Sequence, residues 1–473
     1  MNRLAVINVV GLTEALIGEQ TPRITEFSKR GALAHIAPAF PAVTCAAQSN
    51  YLTGKLPSQH GIVGNGWYNR ELAEVHFWKQ SNHIVQSPKI WDAIRSGTKE
   101  ARPSVANCFW WFNMYSSVDY SITPRPIYRA DGGKFFDIYS WPYSIREEIK
   151  KDLGEFPFFG FWGPAAGIKT PQGSADCTSR WIAESAKWIE TKFSPALNLV
   201  YLPHLDYNLQ RHGPFAASGV INPAILPDLQ AIDAIAGDLI DFFGKRDVQI
   251  VLLSEYGITN VDTPVHLNRI FRRQGWLALK DELGLEILDA GASKVFAVAD
   301  HQIAHVYLND RSLEKSVRNI LEKTPGVEKI LSDTEKTAAG IAHPRAGDFI
   351  AVAAENVWFT YYYWDDDTRA PDFARTVDIH RKPGYDPVEL FLDPKISLPK
   401  FKIARRLLQK KLGFRMLMDV IPLDATLVKG SHGRQPADKK DWPVIITAKP
   451  GQANQIESTN VFGVLLRHFG VAA

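Results

Sequence analysis

The stretch Thr44 to Tyr68, TCAAQSNYLTGKLPSQHGIVGNGWY, sets a hydroxyl at the head of a helical pattern and closes on HGIVGN. A helix start presents unpaired backbone N–H groups and a partial positive charge, which suit an anion. Thr44 reads equally as an ordinary N-cap or as a nucleophile aimed at a phosphorus atom held on that helix end. Three other residues carry donor chemistry just past apolar runs. Asp206 follows LNLVYL, Glu255 follows VQIVLL, and His432 sits in the glycine-flanked turn GSHG. A carboxylate, an imidazole and a hydroxyl around one point suit a divalent metal. Taken singly, each has a plain reading as a loop cap, a solvated carboxylate or a satisfied loop histidine.

The elements that must position them are legible in the apolar pattern. Leu4–Val10, Leu197–Leu202 and Val248–Leu253 are near-continuous apolar runs, as buried parallel strands are. Helical patterns separate them, notably Ser179–Lys192 and Leu226–Phe243. This alternation predicts an α/β fold with a doubly wound, mostly parallel sheet flanked by helices, and a site at the C-terminal strand ends. From about 261 the runs VFAVAD, AHVYL, FIAVAAE and WFTYYYW predict a smaller α+β cap with antiparallel or mixed strands. The expected division is a core of 1–260 and 425–473 and an inserted cap of 261–424. An aromatic, Pro- and Gly-rich insertion at about 125–175 reads as a packed wall or as a stacking surface for a base or a lipid-like group.

The 473 residues are 45% hydrophobic and 22% charged, a globular composition with ample core. A net charge of +3 argues against nucleic acid. The run Lys400 to Arg415, KFKIARRLLQKKLGFR, is basic and amphipathic. It reads as a solvated helix face, with a membrane surface or an anionic partner as the other reading. Cys45, Cys108 and Cys177 match neither a disulfide framework nor a zinc pattern, so a reducing compartment follows. No run reaches transmembrane length. The N-terminus lacks a signal-peptide pattern, and a cytoplasmic location is the expectation.

The motif around Thr44 resembles the signature of the alkaline phosphatase superfamily, in its nucleotide pyrophosphatase/phosphodiesterase and phosphonoacetate hydrolase branch. Thr53-Gly54 lies nine residues after Thr44, and His60-Gly61-Ile62 follows Pro57. The resemblance implies that Thr44 is the nucleophile of a phosphate-ester hydrolase working through a phospho-Thr intermediate, and that Asn65 contacts the phosphoryl group. It implies zinc, one or two ions, with Asp206 and His432 as ligands and Glu255 and Gln210 as weaker ones. The substrate expected is a small phosphate ester.

The departures are as specific as the match. The family carries Asp where this chain has Val10, His where it has Gln210, and Asp-His where it has Glu255-Tyr256. Four of seven ligand positions differ. Residues that could compensate are His204 and His212, Asp300, His301 and His305, and Asp378 and His380, which a strand would place on one face. All of these read first as structural hydrogen-bonding pairs. Arg381, Lys382 and Arg434 read as surface charge or as clamps for phosphate in place of metal. The alternative function is a catalytically impaired relative that binds a phosphorylated ligand or a partner protein.

Overall fold

A strand buried on both faces reads as a near-continuous apolar run, and the run beginning at residue 4, broken only by Asn8, lies at the middle of the sheet. The computed structural model describes residues 2–97, 102–130, 133–171, 173–448 and 453–471, so parts of the aromatic insertion at 131, 132 and 172 lie outside it. Arg3–Val9 pairs in parallel with Leu197–Leu202 on one side and with Val248–Leu253 on the other. Val6, Ile7 and Val9 are wholly buried. Each such side chain contributes roughly 1.5–3 kcal/mol of burial.

The central sheet has nine strands in the order Gln455–Glu457, Ala32–Ala37, Val444–Thr447, Val248–Leu253, Arg3–Val9, Leu197–Leu202, Val105–Cys108, Tyr120–Pro124 and Ile138–Trp141. Two strands run against the rest: Val444–Thr447 and the edge strand Ile138–Trp141. Helices Cys177–Phe193 and Leu226–Gly244 bury apolar faces against it. Register decides the site. Val9 lies opposite Leu202 and Asn8 opposite Leu253, so the three chains leave the sheet at one edge.

A second apolar core gathers residues 261–428 with Tyr68 and Phe77. Its four-stranded antiparallel sheet has the order Val295–Asp300, Ile303–Leu308, Phe349–Ala353 and Val327–Leu331. Two expectations fail here. Of WFTYYYW only Val357–Phe359 is strand, and Tyr361–Trp364 turn away while staying buried. An aromatic run buried on all sides has no alternation to mark where a strand ends. Asp378 and His380 lie in a turn and not on one strand face. No described helix is long and apolar enough to cross a membrane.

Candidate active site

Thr44 is the first residue of helix Thr44–Thr53. Extended Val43 is the N-cap and no side chain of the cap bonds the helix, so the plain N-cap reading of Thr44 fails. Its hydroxyl is buried and lies 3.3 Å from the Tyr256 hydroxyl. The helix start leaves N–H groups outside the ladder. One of them, that of Cys45, donates to Asn65 Oδ1 at 3.1 Å. Asn65 is held in turn by Asp300, whose carboxylate accepts from the Asn65 backbone N–H at 2.7 Å and from its side-chain amide at 3.1 Å. Gly64 makes this approach possible, because a Cβ there would stand 3.0 Å from Asp300 Oδ2. His60 of the HGI signature is structural. Its Nδ1 accepts from the Ile62 N–H, its Nε2 meets the Asn50 amide at 2.8 Å, and burial lowers it to about 3, so the ring is neutral.

The loops after the three parallel strands converge on Thr44 as the sheet requires. Tyr256 donates its hydroxyl to Asp206 Oδ1 at 3.2 Å, and Gln210 donates to Asp206 Oδ2 at 2.7 Å. Gln210 also exchanges hydrogen bonds with the Tyr385 hydroxyl at 3.0 and 3.1 Å. Glu255 Oε1 accepts from Asn8 and Gln48, while its Oε2 has no hydrogen-bond partner. Thr44 neighbours the Glu255 carboxyl and acts to lower it against the effect of burial. His432 donates Nδ1–H to the Ala42 carbonyl at 2.7 Å and stacks on Tyr256, ring centres 3.6 Å apart. Gly433 takes φ +115 there and lets the turn seat against the backbone N–H of Gln302. His301 stacks between His432 and Tyr385 and bonds Asp300 through Nδ1, leaving Nε2 without a partner.

Burial governs the charges. It pushes Asp206 and Glu255 up to about 7 and Asp300 up to about 6. It drives His301 and His432 well below the ordinary imidazole value, so both rings are neutral. Two carboxyls therefore exchange protons near neutrality beside a buried hydroxyl.

Thr44, Asn65, Asp206, Gln210, Glu255 and His432 thus lie in one buried cluster of hydrogen bonds and stacked rings. The two cations do not. Arg434 pairs with Glu328 at 3.0 Å, and Lys382 is buried with its Nζ 2.8 Å from both Asp386 and Glu389. Burial lowers the ammonium, but these two carboxylates outweigh it and hold the group above its ordinary range. Lys382 is structural on this geometry. Lys382→Met strands two buried carboxylates and lowers stability by about 3–5 kcal/mol, read by denaturant unfolding, with turnover per folded molecule unchanged.

Sequence reasoning missed Gln48 and Tyr385 as parts of the site and read Asp300 first as a structural hydrogen-bonding residue. Gln48 had a signal, since it lies one turn after Thr44 on the same helix face. Tyr385 comes from the second core and had none.

A family model for type I phosphodiesterase/nucleotide pyrophosphatase matches residues 4–386. The chain belongs to that family. This member is 22% identical over 276 residues to an uncharacterized pyrophosphatase/phosphodiesterase of Schizosaccharomyces pombe, an overlap of 54% of this chain and 46% of the relative. The chain thus matches under half the length of that curated relative. Its fold is that of murine ectonucleotide pyrophosphatase/phosphodiesterase 5 in complex with AMP, TM-score 0.59 and 13% identity. It is equally similar to phosphonoacetate hydrolase from Sinorhizobium meliloti 1021 in complex with phosphonoformate, TM-score 0.59 and 14% identity. Each of these overlaps covers 100% of this chain and 96% of the neighbour.

The family is metal-dependent, typically on zinc, and this member's residues do not fit a zinc pair. Val10 has no donor, Gln210 and Tyr256 spend their polar atoms on Asp206 and Tyr385, and Glu255 Oε1 is taken by two amides. Among the described residues no group of three or more His, Cys, Asp or Glu side chains is placed to hold a metal ion.

Proposed function

We propose that this chain hydrolyses a small phosphate ester through Thr44. The observation that carries the reading is a buried hydroxyl on the first residue of a helix it does not cap, beside a carboxyl oxygen with no other partner. The phosphoryl group would rest on the helix N-terminus next to Asn65, where N–H groups stabilise its oxygens. Thr44 Oγ1 forms the bond to phosphorus, the ester P–O bond breaks, and the Thr44 proton passes to Glu255. The alcohol leaves with a proton from solvent. Water then attacks phospho-Thr44 and breaks its O–P bond, releasing phosphate from a monoester substrate or a phosphate monoester from a diester; the Thr44 hydroxyl is restored and Glu255 returns its proton to solvent. Tyr256 gives its own proton to Asp206 and so accepts from the Thr44 hydroxyl in the resting structure, and that hydroxyl turns toward Glu255 as it releases its proton. No step passes through a metal. Neighbours holding AMP and phosphonoformate support a small phosphoryl ligand. The three free thiols support a reducing compartment.

A second reading is a silent member that binds a phosphorylated ligand without turning it over. The losses at Val10, Gln210 and Tyr256 favour it. The two separate in one experiment: acid quench of the protein with a phosphate-labelled aryl phosphodiester, followed by peptide mapping. We expect release of the aryl alcohol and label on the peptide carrying Thr44. Saturable ligand binding with neither label nor release selects the silent reading.

A further inference from the structure

The basic run after 399 forms helix Pro399–Lys411, and it faces the wrong way for a helix of a water-soluble surface. Its inner side is polar. Lys402 bonds the Asp419 carbonyl at 2.6 Å and its carboxylate at 2.9 Å, and Arg406 pairs with the same carboxylate at 2.9 Å. Ile403 is the helix side chain that packs into the second core. Its outer side is apolar. Phe401, Ala404, Leu408 and the closing Leu412 recur at i, i+3, i+7 and i+11 and so share one face. Phe401, Leu408 and Leu412 are 68%, 56% and 64% exposed, and no helix residue is buried. Rolling the helix to hide this row would break both pairs to Asp419. The exposed row is therefore fixed in place by ionic contacts on the opposite side, where a patch of this kind marks an interaction surface.

Charge identifies the occupant. Residues 394–418 hold eight Lys and Arg and no Asp or Glu. Lys400, Arg405 and Lys411 are exposed around the apolar row. A second copy would set this basic surface against itself. We infer that helix Pro399–Lys411 docks on an anionic lipid bilayer, lying in the interface plane with the Phe401–Leu408–Leu412 row among the acyl chains and its lysines and arginines on the headgroups.

The test is co-sedimentation of the full chain with vesicles of phosphatidylcholine alone or mixed with phosphatidylglycerol. Wild type should partition roughly tenfold or more in favour of the anionic vesicles, and high salt should weaken it. The triple variant Phe401→Ser, Leu408→Ser, Leu412→Ser and the triple variant Lys400→Glu, Arg405→Glu, Lys411→Glu should each lose about tenfold or more, with unchanged thermal midpoint and aryl phosphodiester turnover. Emission of a Phe401→Trp variant should shift to the blue on anionic vesicles only. Four results would overturn the inference. They are wild type staying in the supernatant with anionic vesicles, equal binding to both vesicle types, full binding by the serine variant, or a wild-type dimer that the serine variant converts to monomer without any vesicle binding. An acidic protein bound at this face in place of vesicles counts with the first.

Discussion

Thr44→Ala should abolish aryl phosphodiester turnover, by a factor on the order of 10⁴–10⁶, while leaving a folded protein that still binds inorganic phosphate. The separation of the two effects follows from the helix start. Val43 is the N-cap, so removing the Thr44 hydroxyl removes no capping bond. The Asn65 bond to the Cys45 N–H does not involve the Thr44 side chain, and the helix end keeps its polarity. What disappears is the atom that attacks phosphorus. Thr44→Ser keeps that atom and should retain measurable turnover, with some loss because a serine rotates more freely than a β-branched residue. Steady-state kinetics and phosphate calorimetry on the same preparations check this. If the alanine variant keeps more than about a tenth of the wild-type rate, Thr44 is not the nucleophile.

Glu255→Gln is the second large effect, a loss of about 10²–10⁴-fold in kcat with phosphate affinity retained. Glu255 is positioned beside Thr44 by amides from Asn8 and Gln48, which fix Oε1 and leave Oε2 without a hydrogen-bond partner. Glutamine keeps the shape and the accepting oxygen but cannot take a proton. Burial holds the Glu255 carboxyl at about 7, so the wild-type rate should rise as pH passes through about 7 and then level off. The residual rate of the variant should lack that step.

Stability runs in the opposite sense. The ordinary glutamate value is 4.5, so between there and about 7 the folded chain keeps a proton that the unfolded chain has released. Glu255 should therefore cost wild type about 3 kcal/mol across that window as pH rises and nothing further above it, read as the difference from the glutamine variant, because the buried neutral His60, His301 and His432 add stability of the opposite sign there in both proteins. Asp206, raised by burial to about 7 as well, adds a slope of the same sign that the glutamine variant keeps. Denaturant unfolding at a series of pH values reads both. A wild-type stability that does not fall relative to that of the Glu255→Gln variant from pH 5 to 7 would contradict the burial of Glu255 without a cation.

The sequence alone settled what rests on local pattern. Leu4–Val10, Leu197–Leu202 and Val248–Leu253 are apolar at all but one position each because a central parallel strand has no solvent face, so the sheet and its C-terminal edge were readable. The Thr44-to-Asn65 motif was readable because helix start, glycine turns and Asn65 lie within one short contiguous stretch. Tertiary structure alone decided how the altered ligands behave. Tyr256 and Gln210 became an organised bridge to Asp206, and Tyr385 and His301 arrived from the second core to close it. Lys382 and Arg434, two cations indistinguishable from phosphate clamps in the sequence, were drawn to carboxylates elsewhere. Ion pairing and side-chain hydrogen bonding depend on which groups long-range packing brings within about 3 Å, and apolar periodicity carries no record of that.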